Sequence, residues 1–361
     1  MASFIPRHGF PPPASLPKSY FLGHHRAGLA KMNSMLSQID LIIECRDYRV
    51  PLTSTNPLFE SLLQGRPRIV VFTKRDLGSL HPPLPSDQKR ESLLTSHLLP
   101  SRSLFTSPSS PGTIASLLTL IRTHAASRSS LTGSRLLVVG MPNIGKSTLL
   151  NALRSKGMHR PKAARTGAQP GITRSVGTSV KIIPSETDAD TGADGQGQGQ
   201  GKGKIQGVGG GVYLLDTPGV FVPYVPDAET MLKLSLVGCV KDGIVPLETL
   251  ADYLLYRVNL VDPGLYKPWC GPTNEVGELL EGVARTTGRL GKGGALDVEG
   301  AALWFIQRWR SGLLGKFVLD EVSETSLGAE REREERMSWS QVKRKGREMR
   351  GRAKGRVEEE R

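Results

Sequence analysis

Cysteines and long apolar runs are both scarce in this chain. Only three cysteines occur among its 361 residues, at positions 45, 239 and 270. They are too few and too scattered for a disulfide framework or a structural zinc site. No stretch reaches the roughly 18 consecutive apolar residues that a membrane-spanning helix requires. The sequence therefore excludes a disulfide-stapled secreted mini-protein and a helical transmembrane protein, and it favours a reducing compartment.

Acidic residues are also scarce near the start of the chain, and the first 39 residues contain none. The whole chain has 48 lysines and arginines against 34 aspartates and glutamates, a formal net charge of +14. Such an excess favours an anionic partner, either nucleic acid or an acidic membrane surface. A basic, acid-free N terminus with several serines is typical of a mitochondrial transit peptide, so we predict a transit segment over residues 1–19. A disordered basic arm of a cytosolic or nucleolar protein is the alternative.

Apolar periodicity predicts alternating helices and strands up to residue 222. Predicted helices cover residues 23–38, 56–63 and 113–124, and predicted strands cover residues 39–44, 69–72, 104–107, 135–139, 179–183 and 212–215. This alternation is typical of an α/β fold with a doubly wound, mostly parallel sheet. Residues 223–327 show helical periods, which predicts a small all-α domain as a second unit after the sheet domain of residues 20–222.

Two segments have a composition that cannot form a packed core. Residues 185–211 contain an alternating Gly-Gln stretch over 195–201, which predicts a disordered insert between two strands. The tail over 328–361 is nearly devoid of large apolar residues. Its stretch 343–356 has eight basic residues and one acidic residue, which favours contact with RNA or anionic lipid over a merely solvated charge run. The basic residues predicted to make that contact are Lys343, Arg344, Lys345, Arg347, Arg350, Arg352, Lys354 and Arg356.

The strongest motif is a phosphate-binding loop, which begins at Gly140 and continues through Gly145, Lys146 and Ser147. It follows a predicted strand and precedes a predicted helix, as the chemistry requires, because backbone N–H groups and the helix N terminus then face the phosphates. Lys146 is predicted to reach the β and γ phosphates, and Ser147 to ligate Mg²⁺. The predicted nucleotide contacts of this loop are Asn143, Ile144, Gly145, Lys146, Ser147 and Thr148.

A second element is predicted to sense the metal and the γ-phosphate. Asp216 follows the strand over 212–215, where its carboxylate can hold Mg²⁺, and the backbone amide of Gly219 can meet a γ-phosphate. Thr173 lies between this element and the phosphate loop, in a segment suited to a switch loop, and its hydroxyl can complete the Mg²⁺ shell. A plain turn at 216–219 and a plain loop threonine at 173 are the alternatives.

Residues 73–76 predict which base is bound. Thr73-Lys74-Arg75-Asp76 resembles the guanine-binding element of GTPases, in which the carboxylate of the aspartate accepts hydrogen bonds from guanine N1–H and the exocyclic amine. Adenine offers no such pair of donors, so the element favours GTP over the ATP of a kinase. Lys74 would cover the base face, and Thr106 and Ser107 would contact the guanine oxygen. A surface turn is the alternative.

The guanine element precedes the phosphate loop, so the order of the motifs is circularly permuted. With Tyr20-Phe21-Leu22-Gly23-His24 and Arg46-Asp47-x-Arg49-Val50-Pro51-Leu52, the chain resembles the circularly permuted ribosome-assembly GTPases related to bacterial ribosome biogenesis GTPase A. The resemblance covers roughly residues 20–320. It implies a GTPase that assists assembly of the mitochondrial large ribosomal subunit, contacts its rRNA, and resides in the matrix, beside the inner membrane.

Two positions depart from the common GTPase pattern. Thr73 stands where asparagine is commoner, which is expected to weaken the hydrogen bonds that brace the site. Val220 stands where many GTPases carry the glutamine that orients the attacking water, and valine cannot do so. This resembles the hydrophobic-substituted class, in which the phosphate-loop asparagine, here Asn143, is associated with K⁺.

The resemblance therefore implies slow intrinsic turnover that a ribosomal particle stimulates, with Asn143, Lys146, Thr173 and Gly219 as the catalytic group. Two other readings stay open. One is an RNA-binding scaffold whose nucleotide merely braces the fold, which Val220 favours. The other is a nucleolar or cytosolic GTPase of the same permuted fold.

Overall fold

The structure is a computed structural model that describes residues 4–13, 15–17, 20, 23–63, 65–107, 110–128, 130–161, 179–191, 207–222 and 225–332. Three sequence predictions fall outside these residues. They are the role of Thr173, the Gly-Gln stretch over 195–201 and the anion contacts of residues 343–356.

Within the described ranges, six strands form one sheet. They are β1 (Leu41–Asp47), β2 (Arg68–Thr73), β3 (Arg102–Phe105), β4 (Ser134–Val139), β5 (Val180–Ile183) and β6 (Val212–Asp216). Their order is β3-β2-β1-β4-β6-β5, with every neighbouring pair parallel except β5 and β6. The predicted fold class, a mostly parallel α/β sheet, is confirmed.

The central strands are buried on both faces, as expected where helices cover a parallel sheet. Neighbouring side chains of β1 alternate between the faces: Ile42 packs with Met32 and Leu137, whereas Ile43 lies in the other cluster with Leu150. The helices described before β5 are α1 (Gly23–Met35), α2 (Pro57–Leu63), α3 (Pro85–His97), α4 (Pro111–Arg128) and α5 (Lys146–Met158).

The order of the strands reverses between β1 and β4. The chain adds β2 and β3 on one side of β1, then places β4 and β6 on its other side. The carboxyl ends of parallel strands meet at one edge of the sheet, and such a reversal leaves a crevice there for a ligand. The guanine element, the phosphate loop and Asp216 all lie at this edge, since each follows or ends a strand.

The predicted insert over 185–211 is ordered at both of its ends. Residues Glu186–Thr191 form a short helix, α6, instead of the expected irregular chain. Asp188 pairs with Lys181 on β5, and its backbone N–H donates to Ser185 Oγ over 3.1 Å. On the other side of the insert, Gly211 accepts a 2.9 Å hydrogen bond from the N–H of Ser134. The expectation of disorder is therefore wrong at these two ends, because local side-chain bonds and β4 hold them.

In the described part of the chain, β6 is followed by α7 (Ala228–Leu236), α8 (Leu247–Val261), α9 (Val276–Thr287) and α10 (Val298–Arg310), and residues 324–332 are helical as well. One hydrophobic cluster continues from the sheet into these helices, from Val71 and Leu150 to Leu254 and Phe305. The predicted helical character of this part is confirmed, while a domain boundary near residue 222 stays a prediction.

The N-terminal residues are packed on the helical part. Phe10 contacts the ring of Tyr253 on α8, with centroids 5.2 Å apart, and Arg7 pairs with Asp252 on the same helix. Leu16 is 6% exposed and belongs to the main core. The transit segment over residues 1–19 stays a prediction.

Candidate nucleotide-binding site

The phosphate loop joins β4 to α5, and its backbone takes conformations that suit glycine. Gly140 and Gly145 have φ of +146° and +96°. A Cβ atom at Gly140 would lie 2.6 Å from the carbonyl oxygen of Cys45, so no larger residue fits there. The loop thus presents bare backbone at the start of a helix, which is the arrangement that holds phosphate groups.

Lys146, at the end of the phosphate loop, lies close to Gly219 in the segment that follows β6. Lys146 is 6% exposed, and its ammonium donates a 2.7 Å hydrogen bond to the carbonyl of Met141. Burial lowers the pKa of Lys146, and the nearby carboxylate of Asp216 opposes that shift. A Cβ atom at Gly219 would lie 2.4 Å from Pro142 Cα and 3.0 Å from Lys146 Nζ. The segment after β6 therefore lies against the phosphate loop beside the ammonium of Lys146.

Ser147 and Asp216 form the candidate metal pair. Ser147 Oγ donates a 2.6 Å hydrogen bond to Asp216 Oδ2. Asp216 Oδ1 is buried and has no hydrogen-bond partner within the described part of the chain. An unpaired buried carboxylate oxygen beside a hydroxyl suits a hard cation such as Mg²⁺, so the residues present fit that metal.

The guanine element braces the phosphate loop from the neighbouring strand. Lys74 has φ of +57°, and its ammonium donates a 2.6 Å hydrogen bond to the carbonyl of Asn143. The hydroxyl of Thr73 donates to the carbonyl of Ile144. Threonine thus supplies a bracing hydrogen bond at the position where asparagine is commoner.

The third part of the candidate site consists of Asp76 and the loop that contains Thr106 and Ser107. Asp76 Oδ1 is buried without a hydrogen-bond partner among the described residues. The carbonyl of Thr106 accepts a 3.1 Å hydrogen bond from the N–H of Arg75, which places Thr106 and Ser107 beside the element. An unpaired buried acceptor is costly unless a ligand supplies the donor, and guanine offers two donors.

Val220 lies in the core. Its side chain is fully buried and packs in the cluster of Met32 and Leu137. Its N–H donates a 3.2 Å hydrogen bond to Gly140, and its carbonyl accepts one of 2.9 Å from Asn56. Nothing at this position can orient a water molecule for attack.

Asn143 connects the phosphate loop to the helical part. Its side-chain Nδ2 donates a 3.3 Å hydrogen bond to the carbonyl of Gly238, just after α7. Gly238 has φ of +82°, and Arg310 on α10 holds the same turn by donating to the carbonyls of Ser235 and Leu236, each over 2.8 Å. The role of Asn143 toward K⁺ stays a prediction.

One buried carboxylate next to the site escaped the sequence-based prediction. Asp47 ends β1 directly opposite Thr73, and it contacts Lys74 and Arg49. Burial raises the pKa of Asp47, but the two cations outweigh burial and hold that pKa well below its usual range. The segment over 46–52 was identified only as part of a family signature, although the position of Asp47 at a strand's carboxyl end was a signal that could have pointed to the site.

The comparisons agree with this geometry. A family model described as a 50S ribosome-binding GTPase matches residues 135–261. Mitochondrial GTPase 1 of Schizosaccharomyces pombe is 35% identical over 340 residues, which cover 90% of this chain and 95% of that protein. Mitochondrial ribosome-associated GTPase 1 of Mus musculus is 33% identical over 320 residues, which cover 83% and 89%.

The fold has a solved counterpart. The crystal structure of GNP-bound YlqF from T. maritima superposes with a TM-score of 0.50 and 20% identity, covering 81% of this chain and 97% of that one. At this identity the likeness concerns the fold alone, and it agrees with the permuted order of motifs read from the sequence.

Proposed function

Because the chain belongs to the family of mitochondrial GTPase 1 and mitochondrial ribosome-associated GTPase 1, we propose that it is an assembly factor for the mitochondrial large ribosomal subunit. It is a GTPase with a circularly permuted P-loop fold. The observation that carries the proposal is the direct link between the phosphate loop and the helical part, from Asn143 to Gly238. Nucleotide state can then change how the helical part binds a ribosomal particle.

The nucleotide would be held by two loops that already contact each other. Asp76 would accept the guanine donors, Lys74 would cover the base, and the loop from Asn143 to Thr148 would bind the phosphates. Ser147 and Asp216 would hold Mg²⁺, with Thr173 as a further proposed ligand. The metal, when bound, neutralises phosphate charge during transfer of the γ-phosphoryl group to water.

The switch would start at Gly219. Its backbone amide would donate to the γ-phosphate, and the close approach of Gly219 to the loop, where a Cβ atom would lie 2.4 Å from Pro142 Cα, supports this role. The chain then runs from Val220 directly into the helical part. Hydrolysis removes the γ-phosphate, frees Gly219, and lets the helical part release the rRNA-containing particle.

Turnover is proposed to be slow until the particle binds. Val220 is buried and cannot orient the attacking water. A K⁺ ion near Asn143 would supply positive charge at the phosphates, and Lys146 would add its own. GTP turnover that is equal in K⁺ and in Na⁺, with the particle present, would refute the potassium part.

The proposed location is the mitochondrial matrix, at the periphery of the inner membrane. The acid-free N terminus and the net charge of +14 support import and an anionic partner. In the described part of the chain, no helix is long and apolar enough to cross a bilayer. The basic stretch 343–356 is the proposed contact with rRNA.

Sedimentation with isolated mitochondrial large-subunit particles tests the proposed function. The full chain should travel with the particles when a non-hydrolysable GTP analogue is present, and should stay in the supernatant with GDP. Lys146→Ala, which removes the ammonium predicted to hold the β and γ phosphates, should make particle binding the same with both nucleotides. Equal binding in both nucleotide states would refute the switch.

A further inference from the structure

Asp47 lies under the guanine element in a position that the proposed function does not use. It is fully buried at the end of β1, opposite the first residue of the guanine element in the neighbouring strand. Asp47 Oδ2 lies 3.0 Å from the ammonium of Lys74. That ammonium also donates to the carbonyl of Asn143, so it bridges the carboxylate and the phosphate loop.

Arg49 holds the same carboxylate from the other side. Its Nε donates to Asp47 Oδ1 over 3.0 Å and its Nη2 to Oδ2 over 2.9 Å, which is a bidentate pair. The backbone N–H of Arg49 adds a further hydrogen bond of 3.0 Å to Oδ1. A carboxylate held by so many donors has one position, and Lys74 must adapt to it.

Arg49 also reaches the helical part of the chain. Its guanidinium lies over the ring of Trp309 on α10, 4.9 Å from the centroid. Its backbone carbonyl accepts a 2.8 Å hydrogen bond from the N–H of Leu319. The next residue, Asp320, accepts hydrogen bonds from the N–H groups of Leu52 and Thr53, over 2.9 and 2.8 Å. The turn after β1 is therefore fastened to the helical part at several points.

We infer that Asp47 is a positioning residue for the guanine site, because its carboxylate holds the ammonium group of Lys74 in place. Arg49 connects this carboxylate to α10. The inference rests on the proposed nucleotide site and assigns a task to the segment over 46–52. Because the ammonium group of Lys74 is held in place, its aliphatic chain adopts one conformation beside the base. The carboxylate of Asp47 therefore connects the base-binding loop, through Lys74, with the helical part, through Arg49.

The test is a double-mutant cycle on nucleotide affinity, using the full chain and fluorescent GDP and GTP analogues. Asp47→Asn should weaken binding roughly 10- to 100-fold, the equivalent of a hydrogen bond to a charged group. Lys74→Met should weaken it to a similar extent. In the Lys74→Met background, Asp47→Asn should add less than about twofold, since the group it positions is already gone.

A neighbouring carboxylate provides the matched control. Glu44 is also buried on β1, where it pairs with Arg46 at 2.6 Å and Arg68 at 3.1 Å. Glu44→Gln should lower the melting temperature but leave nucleotide affinity unchanged. If the wild type and Glu44→Gln bind no guanine nucleotide, the proposed function fails, which differs from a failure confined to Asp47.

A variant with balanced charge covers the case in which Asp47→Asn does not fold. Asp47→Asn combined with Arg49→Met removes one buried charge of each sign, so the interior keeps its charge balance. This double variant still lacks the partner of Lys74 and should show the same loss of affinity. Wild-type affinity in a folded Asp47 variant, or losses that multiply fully with Lys74→Met, would overturn the inference.

An independent observation concerns the N terminus. The backbone N–H of Arg7 donates a 3.3 Å hydrogen bond to the side-chain oxygen of Asn274. The side-chain amide of Asn274 donates a 3.0 Å hydrogen bond to the carbonyl of Ile5. Arg7 pairs with Asp252, and Phe10 packs against the rings of both Tyr253 and Tyr256. These contacts combine an ion pair, backbone hydrogen bonds and aromatic packing, as in a built interface within a folded chain.

We propose that residues 4–17, here called the N-terminal strap, remain part of the mature protein. Removal of residues 1–19 would expose Tyr253 and leave Asp252 without its partner. Mass spectrometry of the protein purified from cells through a C-terminal tag should therefore recover the peptide that contains Arg7 and Phe10. An N terminus near Tyr20 would overturn the proposal.

If the strap is a structural part of the fold, removal of its contacts should lower the stability of the protein. Arg7→Ala with Phe10→Ala should lower the melting temperature, whereas Ala at the exposed neighbour His8 should not. Equal melting temperatures for these two variants would contradict a structural role of the strap.

Discussion

Replacing Gly219 by alanine tests how closely the switch segment approaches the phosphate loop. A Cβ atom there would lie 2.4 Å from Pro142 Cα and 2.5 Å from Pro142 N. Both are backbone atoms and cannot rotate away, so the segment or the loop must move. Overpacking of this kind costs about 1–3 kcal/mol. If the approach of Gly219 to the phosphate loop is needed only to bind the γ-phosphate, this cost should lower the affinity for a GTP analogue roughly 5- to 150-fold. The affinity for GDP should then change little.

The assay is titration of the full chain with fluorescent GDP and with a fluorescent, non-hydrolysable GTP analogue. Gly277→Ala on α9 is the matched control, because a Cβ there meets no atom within 4 Å. It should leave both affinities unchanged. If Gly219→Ala bound the GTP analogue as tightly as Gly277→Ala does, the reasoning on the Gly219 contact would be refuted.

Three further predictions follow from named contacts. Asp76→Asn should weaken GTP binding and favour xanthosine triphosphate, because the amide offers a donor where the carboxylate accepted; unchanged GTP affinity in a competition assay would contradict the base assignment. Asp227 caps α7 by accepting the Thr230 N–H over 2.6 Å, so Asp227→Ala should cost about 1 kcal/mol of stability in thermal unfolding, and Asp227→Asn much less. Burial raises the pKa of Asp47 but Arg49 and Lys74 lower it further, below the unfolded value of about 3.9. Its contribution to stability is present above that pH and is lost as pH falls toward the folded pKa, so the acid-side fall in melting temperature should be shallower in the Asp47→Asn, Arg49→Met variant; equal slopes would contradict this.

The sheet and its motifs were accessible to sequence reasoning because the signals are local. Short β-branched runs such as Ile69 to Phe72 read as strands, and the glycines of the phosphate loop mark the turn that follows β4. The order of the motifs along the chain then indicated the permutation. Thr73 and Ile144 are 71 residues apart in sequence, and assigning both motifs to one nucleotide predicted a shared site but not the hydrogen bond between them.

Long-range polar contacts were not accessible in the same way. Two such contacts are the ion pair of Asp47 with Lys74 and the cation–π contact of Arg49 with Trp309. They depend on how segments that are distant in sequence pack together, and hydrophobic periodicity carries no information about that packing. Residues 4–13 and 15–17 contain several prolines and little apolar periodicity, so their composition gave no sign that Phe10 and Leu16 pack against the core. The short helix α6 depends on Ser185 and Asp188, whose local hydrogen bonds are weak signals within a low-complexity stretch.

GTP turnover by the full chain, with and without mitochondrial large-subunit particles, tests the central claim most directly. In K⁺ buffer the particles should raise the turnover number well above the slow intrinsic rate, because they order the switch around a site that lacks a water-orienting glutamine. Lys146→Ala should abolish turnover in both conditions, which would exclude a contaminating GTPase. A rate that the particles leave unchanged, with GTP still bound, would contradict the account of an assembly GTPase controlled by the ribosome.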